Sequence, residues 1–539
     1  MNENKIFYAR PYSDLKTPFT VDKSGAFAEY IIQEPEEMPE IALGSTVIIK
    51  DFDQEGIHWI AGQIIGLRAI SPFSPERENL LYIEPDIEDP TKVLEEVTGP
   101  HTHQPMIIRV SLDREMKLKE NGKRSYDSFP IQRPPSARSR LYFPNILPKE
   151  NDDSPALQEI LDIRPEGISM GNVGFGNTPY EQDKKFLTYK WDIDSLDNKH
   201  IFIVGESGSG KTVLLKNLAY EIRKNNPNMR VILTDVQGDI VQLLLPDVAE
   251  VLKPSGWQKK VQIESLHETI QKLEKFQLII PARPERSTEG VVALKKLASN
   301  RGVQVREIGL RLQDIGMPSD VEYLFRSSSE QAGMLLDDEA EDLRRRNNVV
   351  TIPNLRNQLN NLLNRNTQNQ VTSSGGTTFL RSTFFAGLRA LRSLETHFDF
   401  HQPSLQSPNN PLDYFDFDGT TILYLDELDQ DERIMWEMQL VKWLYINKKK
   451  GWNAFVFFDE AHQIIPAKPT GIGALGTFER LRVNFERLAR EGRKFGINLI
   501  LSTQNPKDLH PIVPEQCPTR IIMKINPRNA SYAFLDDNL

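Results

Sequence analysis

The stretch GESGSGKT (205–212) sets three glycines, two serines, a lysine and a threonine in the order of a phosphate-binding loop, G-x-x-x-x-G-K-[ST]. Gly205, Gly208 and Gly210 carry no Cβ, so the backbone can fold tightly. The amides of the loop, with Glu206, Ser207 and Ser209 between the glycines, can then turn toward one anion. Lys211 would reach the β- and γ-phosphates as a point charge, and the Thr212 hydroxyl would sit on Mg²⁺. The flanks suit this chemistry. IFIV (201–204) is a short β-branched apolar run, and the residues from Val213 to 224 read as an amphipathic helix. A phosphate there meets a helix N-terminus, where orphan N–H groups and the dipole favour an anion. A chance glycine loop is the competing reading, and the strand and helix flanks argue against it.

Three further groups have the residue types for work on a triphosphate. NAFVFFDEAH (453–462) is an apolar strand that delivers Asp459 and Glu460 at its C-terminal end, where parallel sheets place ligand-binding side chains. Asp459 can hold Mg²⁺ through water, and Glu460 can polarise an attacking water; a helix N-cap followed by an acidic first-turn residue is the alternative. LILSTQN (499–505) brings Ser502, Thr503 and Gln504 to a strand end as a γ-phosphate sensor or as a plain turn. RLAREGRKFG (487–496) puts Arg487, Arg490, Arg493 and Lys494 on one helix and its exit. Such arginines are either solvated or able to stabilise charge at a neighbouring subunit's phosphate.

The elements that must position these groups alternate. Residues 24–112 read as short β segments (GAFAEYII, STVIIKDF, HWIAGQIIGLRAI, LLYIEPDI, MIIRVSL) broken by glycine, proline and acidic turns, which suggests a small β-barrel. We assign it to residues 1–120. Residues 121–185 read as a connector whose Arg133, Arg138 and Arg140 form a basic cluster, either a solvated linker or a phosphate contact. An α/β pattern over 186–255 and 418–539 predicts a parallel sheet covered on both faces. Between them, 256–417 reads as a mostly helical, polar insertion interrupted by FQLIIPA (276–282). The chain has 539 residues, a net charge of −10 and one cysteine, Cys517. That composition gives no whole-chain support for nucleic-acid binding and fits a reducing, cytoplasmic setting without a disulfide framework. No apolar run reaches the length of a spanning helix, and the first residues lack the core of a secretion signal, so no membrane association is expected.

The motif order resembles the HerA-type DNA-translocating ATPases, relatives of the FtsK motors. Their D-E-A-H, A-R-x-G-R-K-x-G and T-Q-x-P stretches correspond to residues 459–462, 489–496 and 503–506, with PEQCPTRI (514–521) and the D-x-x-G-D of 235–239 in step. The resemblance implies an N-terminal β-barrel, a RecA-like P-loop core with a helical insertion, and a homohexameric ring that hydrolyses ATP and pumps duplex DNA, often with a nuclease or other effector. It implies that Lys211 and Thr212 bind triphosphate and Mg²⁺, that Asp459 is the Mg²⁺-side acid, Glu460 the catalytic carboxylate and Gln504 the sensor. Arg493 would be the trans-acting finger, with Arg490 second. Two departures stand out: a longer, asparagine-rich 256–417, and a chain that stops at Leu539 soon after the last core strand, so that ring assembly or partner docking can differ.

The leading expectation is thus an ATP-driven double-stranded DNA translocase or helicase, acting in DNA-end processing or antiviral defence. The alternative is a ring-forming scaffold that organises an effector without processive translocation. DNA-contact candidates are the loop 466–476 with Lys468 and the SSGGTT turn (373–378) with Arg381, each of which also reads as a plain flexible loop. ATP rather than GTP follows from the resemblance, since no N-K-x-D follows a strand.

Overall fold

The computed structural model describes residues 10–11, 19–22, 25–32, 44–53, 56–69, 106–119, 125–131, 133–136, 138–148, 152–163, 167–175, 178–179, 181–182, 185–193, 199–241, 275–282, 289–324, 330–398, 410–448, 452–468 and 474–525. Contacts divide the chain into two units, Met1–Asp192 and Ile193–Leu539.

The first unit is an antiparallel sheet of β1 (Arg10–Pro11), β2 (Phe19–Asp22), β3 (Gly25–Ile32), β4 (Thr46–Asp53), β5 (Gly56–Ala69), β6 (Met106–Leu118), β7 (Tyr126–Phe129) and β8 (Arg140–Tyr142). Its path runs β1-β3-β6-β5-β4-β8, with β2 added to β3 and β7 to β6. Period-two alternation sets which side chains are buried together. Val47 and Ile49 of β4 pack with Ile60, Ile64, Ile108 and Val110. Ile48, between them, packs instead with Trp59, Ala61 and Met116. Of the expected strands, LLYIEPDI lies outside the described residues. Part of the expected connector is sheet rather than linker, since β8 pairs with β4. The buried Asp51 anchors the turn before it, accepting from Ser136 N at 3.0 Å and from Ser136 Oγ. Two arginines of the basic cluster are committed here: Arg133 Nη2 lies 3.1 Å from the ring nitrogens of His58, and Arg140 Nη1 donates to Ser139 O at 3.2 Å.

The second unit is built on eight strands that pair in parallel: β9 (Ile201–Val204), β10 (Arg230–Asp235), β11 (Phe276–Pro281), β12 (Gln304–Ile308), β13 (Thr420–Tyr424), β14 (Ala454–Phe458), β15 (Ile497–Thr503) and β16 (Thr519–Ile522). Their order is β12-β11-β13-β10-β14-β15-β9-β16. Every residue of β9, β13, β14 and β15 is buried, as expected of apolar runs covered on both faces. Helix α1 (Lys211–Asn225) buries Leu215, Leu218, Ala219 and Ile222, the i, i+3, i+4, i+7 stripe of an amphipathic helix.

The expected insertion at 256–417 is less separate than its composition suggests, because β11 and β12 come from it and extend the sheet. Its helices α2 (Glu289–Asn300), α3 (Glu330–Arg345), α4 (Ile352–Arg365) and α5 (Arg381–Leu394) have many polar residues, though Val292, Met334 and Phe385 are exposed. Leu335, Leu336, Leu355, Leu359, Phe384 and Leu391 of α3–α5 nevertheless join the same hydrophobic cluster as Phe202, Ile232 and Leu423 of the strands. Helix α6 (Gln430–Asn447) opens with a capping box, Asp429 with Glu432, and buries Trp436, Leu440, Trp443 and Leu444. Helix α7 (Ala474–Glu491) leads through a turn, Gly492–Phe495, into β15. Parallel pairing gathers the C-terminal ends of β9, β10, β14 and β15 on one edge, where the candidate site lies.

Candidate nucleotide-binding site

The phosphate loop leaves β9 and enters α1, and its backbone takes a form that side chains resist. Gly208 has φ +76° and Gly210, the N-cap of α1, has φ +96°. At Gly205 the constraint is space, since a Cβ would lie 2.5 Å from Ser209 Oγ and 2.9 Å from Met523 Cβ. The chain after β16 braces the loop: Met523 N donates to Val204 O at 2.8 Å and Glu206 N to Lys524 O at 2.9 Å. Lys211 Nζ lies across the loop, donating to Gly205 O at 2.7 Å and Glu206 O at 3.3 Å. The buried Ser209 Oγ has no hydrogen-bond partner among the described residues. Burial lowers the Lys211 pKa, opposed by the charges of Glu460 and Asp459, which places both acids in electrostatic reach of the loop.

Those acids are buried and differently tuned. Burial, reinforced by Glu460, raises Asp459 to about 6, against a hydrogen bond from Ser502 Oγ at 2.8 Å and the Lys211 charge. Burial also pushes Glu460 up, but His462, Gln504 and Lys211 together outweigh it and hold the group below its usual range. His462 Nδ1 lies 3.3 Å from Glu460 Oε2 and 3.0 Å from Thr503 Oγ1. Gln504 donates twice, from N to Oε2 at 3.3 Å and from Nε2 to Oε1. Glu460 itself has φ +52° and ψ +47°, a left-handed conformation rare for a residue with a side chain, and it caps the short turn that carries His462. Gly205 N donates to Thr503 O at 3.3 Å, tying β15 to the phosphate loop.

Lys211, Asp459, Glu460 and Gln504 are therefore brought together, with the backbone of Gly205 to Gly210 alongside. Arg493 is not among them. It lies before β15 while Gln504 lies after it, and the seven residues of β15, at about 3.3 Å each, put it roughly 20 Å away on the opposite edge. Arg493 is exposed, and Arg490 pairs with Glu486 at 2.8 Å. The D-x-x-G-D stretch forms a turn: Asp235, raised by burial to about 6, accepts from Val241 N at 2.7 Å. A Cβ on Gly238 would lie 2.7 Å from Asp426 Oδ2. Lys216, one turn beyond Thr212, donates to Asp239 O at 3.0 Å.

Of the two candidate DNA loops, the first is described only in part, since residues 469–473 lie outside the described residues. The SSGGTT turn is held on acidic residues of α3, with Ser373 Oγ donating to Asp338 Oδ2 at 2.8 Å and Ser374 N to Glu339 Oε1 at 2.8 Å. Arg381 donates to Leu363 O and Asn366 O at the end of α4, so its guanidinium closes that helix. The sequence reading also missed His462, whose place in DEAH was the available signal, and Lys216, which lacks a local pattern.

The residues fit a triphosphate with Mg²⁺. The cradle has a helix N-terminus, positive-φ glycines, an ammonium and an unpartnered hydroxyl, and Thr212 and Asp459 would hold the ion. Magnesium commonly uses one or two side chains plus phosphate oxygens, and no cluster of three or more His, Cys, Asp or Glu forms a metal site among the described residues. When bound, Mg²⁺ supplies positive charge against the developing charge on phosphate oxygens.

A glycine loop between a parallel strand and a helix, with an acid-bearing strand two places along the sheet, defines a P-loop nucleotide-binding core. Residues 175–383 match the family described as "Helicase HerA, central domain". Asp459, Glu460 and Gln504 lie beyond it. A "Probable DNA double-strand break repair helicase HerA" of Methanocaldococcus jannaschii is 41% identical over 75 residues, 14% of this chain and 13% of the relative. A "Probable helicase MJ1565" of the same organism is 29% identical over 145 residues, 25% of this chain and 27% of the relative. The matches thus span well under a third of either curated relative. Among solved structures, VirB4 of Thermoanaerobacter pseudethanolicus aligns with TM-score 0.42 at 11% identity, over 70% of this chain and 89% of that one. The bacterial conjugative coupling protein TrwBdeltaN70 aligns with TM-score 0.36 at 12% identity, over 70% and 72%. No helix among the described residues is long and apolar enough to cross a membrane.

Proposed function

We propose that this protein is an ATP-hydrolysing motor that assembles as a hexameric ring and moves double-stranded DNA in company with a nuclease or other effector, in DNA-end processing or antiviral defence. The observation that carries the reading is Glu460, a carboxylate held ionised by Gln504 and His462 beside the phosphate loop. In this reading Glu460 takes a proton from the attacking water, Gln504 reports the γ-phosphate, and Lys211 balances charge on the phosphate oxygens. Asp459, hydrogen-bonded by Ser502, and Thr212 hold Mg²⁺. Arg493, exposed and remote from its own subunit's site, serves the neighbouring subunit's nucleotide. The N-terminal sheet closes as a small barrel in this reading, supported by the ends of its strand path, β1 and β8, lying beside each other.

One observation favours the scaffold alternative: within the subunit the SSGGTT turn is bonded to acidic residues of α3, and Arg381 to backbone carbonyls at the end of α4. ATP hydrolysis with and without linear duplex DNA separates the two, with Glu460→Gln as the blank. Several-fold stimulation by duplex is expected of the motor. Hydrolysis indifferent to DNA would sink translocation and leave the scaffold.

A further inference from the structure

His200 stands immediately before β9, and its ring is buried, 1% exposed, at the sheet edge opposite the phosphate loop. Leu499 N donates to Nδ1 at 2.9 Å, and Nε2 lies 2.7 Å from Ala489 O. The first bond requires a bare Nδ1, so the ring proton is on Nε2 and is donated to the Ala489 carbonyl. One imidazole thus joins three elements: the strand that leads into the phosphate loop, the strand that leads to Gln504, and the last turn of α7. Ala489 adjoins Arg490, and Arg493 follows in the Gly492–Phe495 turn. Between His200 and Gly205 there are only the four residues of β9, hydrogen-bonded on both sides by β15 and β16. That strand is too short and too well paired to absorb a displacement within itself.

We propose that His200 is a positioning residue that fixes the arginine turn of one subunit to its own nucleotide strand, so that the arginine offered to the next subunit is aimed from the occupancy of the first. The proposal rests on the reading of Arg493 as acting in trans and adds the group that holds it in place. Burial lowers the His200 pKa, as does the Arg493 charge, against the Ala489 hydrogen bond, so the ring stays neutral with its donor and acceptor fixed. An apolar ring could fill the same space. It could not supply a donor to Ala489 and an acceptor to Leu499 together.

Mixed assemblies provide the test. Arg493→Ala subunits keep an intact site but offer no finger, while Glu460→Gln subunits keep the finger and lack turnover. Mixed together they should recover hydrolysis above either parent. His200→Phe should bind a fluorescent ATP analogue within about threefold of wild type, lose about 10- to 100-fold in kcat, and likewise recover when mixed with Glu460→Gln. Recovery with Arg493→Ala but none with His200→Phe would place the His200 effect in its own site and overturn the inference alone. No recovery with Arg493→Ala would remove the trans reading and the inference with it. Should His200→Phe fail to bind nucleotide, His200→Gln and His200→Asn decide. Gln extends far enough to donate to Ala489 and should keep at least half of kcat, whereas Asn can serve Leu499 only and should fall like Arg493→Ala. Equal losses in both would overturn the proposal.

Discussion

Two turns in this molecule are made of the same small residues and do opposite things. GESGSGKT joins a buried parallel strand to the first turn of a fifteen-residue helix, and SSGGTT joins two three-residue antiparallel strands. Gly210 and Gly376 even share a backbone setting, with φ +96° and +94°. The surroundings differ. The first turn holds an ammonium, a helix N-terminus and an unpartnered hydroxyl. The second gives its Ser374 amide to Glu339 and its Ser373 hydroxyl to Asp338. Glycine and serine permit an anion cradle; a helix end and a cation make one.

The largest effect that would sharpen this contrast lies at Glu460. Glu460→Gln should cut turnover by about 10²- to 10⁴-fold while a fluorescent nucleotide still binds; a loss below tenfold would take the residue out of the chemistry. Lys211→Ala should weaken ATP binding by about a hundredfold, roughly 3 kcal/mol. Arg381→Ala at the other turn should leave the dissociation constant unchanged, and an effect there would break the contrast.

Gly210→Ala and Gly376→Ala make a matched pair, because each forces a side chain into left-handed backbone at a cost of about 1 kcal/mol. Urea unfolding should register both, and nucleotide titration only the first. The smallest effect concerns Glu339. Burial raises its pKa above the usual carboxylate value against the Ser374 hydrogen bonds, so the native state keeps a proton that the unfolded chain has released. That contribution is complete below about pH 4.3 and is lost as the pH rises through the folded value. Glu339→Gln cannot titrate, so its stability relative to wild type should improve with rising pH. A pH-independent difference between the two would contradict the assignment.

How much was legible in the sequence follows from how local each feature is. The phosphate loop, Asp459, Glu460 and Gln504 each sit at the end of a contiguous apolar strand, so spacing and flanks were enough to find them. The membership of β11 was hidden, because FQLIIPA lies in a polar region and its partner Thr420 is far along the chain. Arg381 read as a candidate DNA contact or part of a plain flexible loop, because nothing in the sequence marks a guanidinium that will close α4. His200 left no pattern either, since its partners at 489 and 499 are close to it only once β9 and β15 have paired.

That pairing governs how the protein can be made. Ile201 of β9 aligns with Ile500 on one side and Thr519 on the other, both about 300 residues later, so the site is a high-contact-order assembly. During synthesis the phosphate loop emerges early on a strand with neither neighbour yet in existence. A ribosome that stalls before residue 497 holds a chain with the full GESGSGKT motif, no platform to stiffen it, and two bare edges open to aggregation. Nucleotide affinity should therefore arise late and all at once on a growing chain, and the cell must shelter IFIV until β15 and β16 arrive.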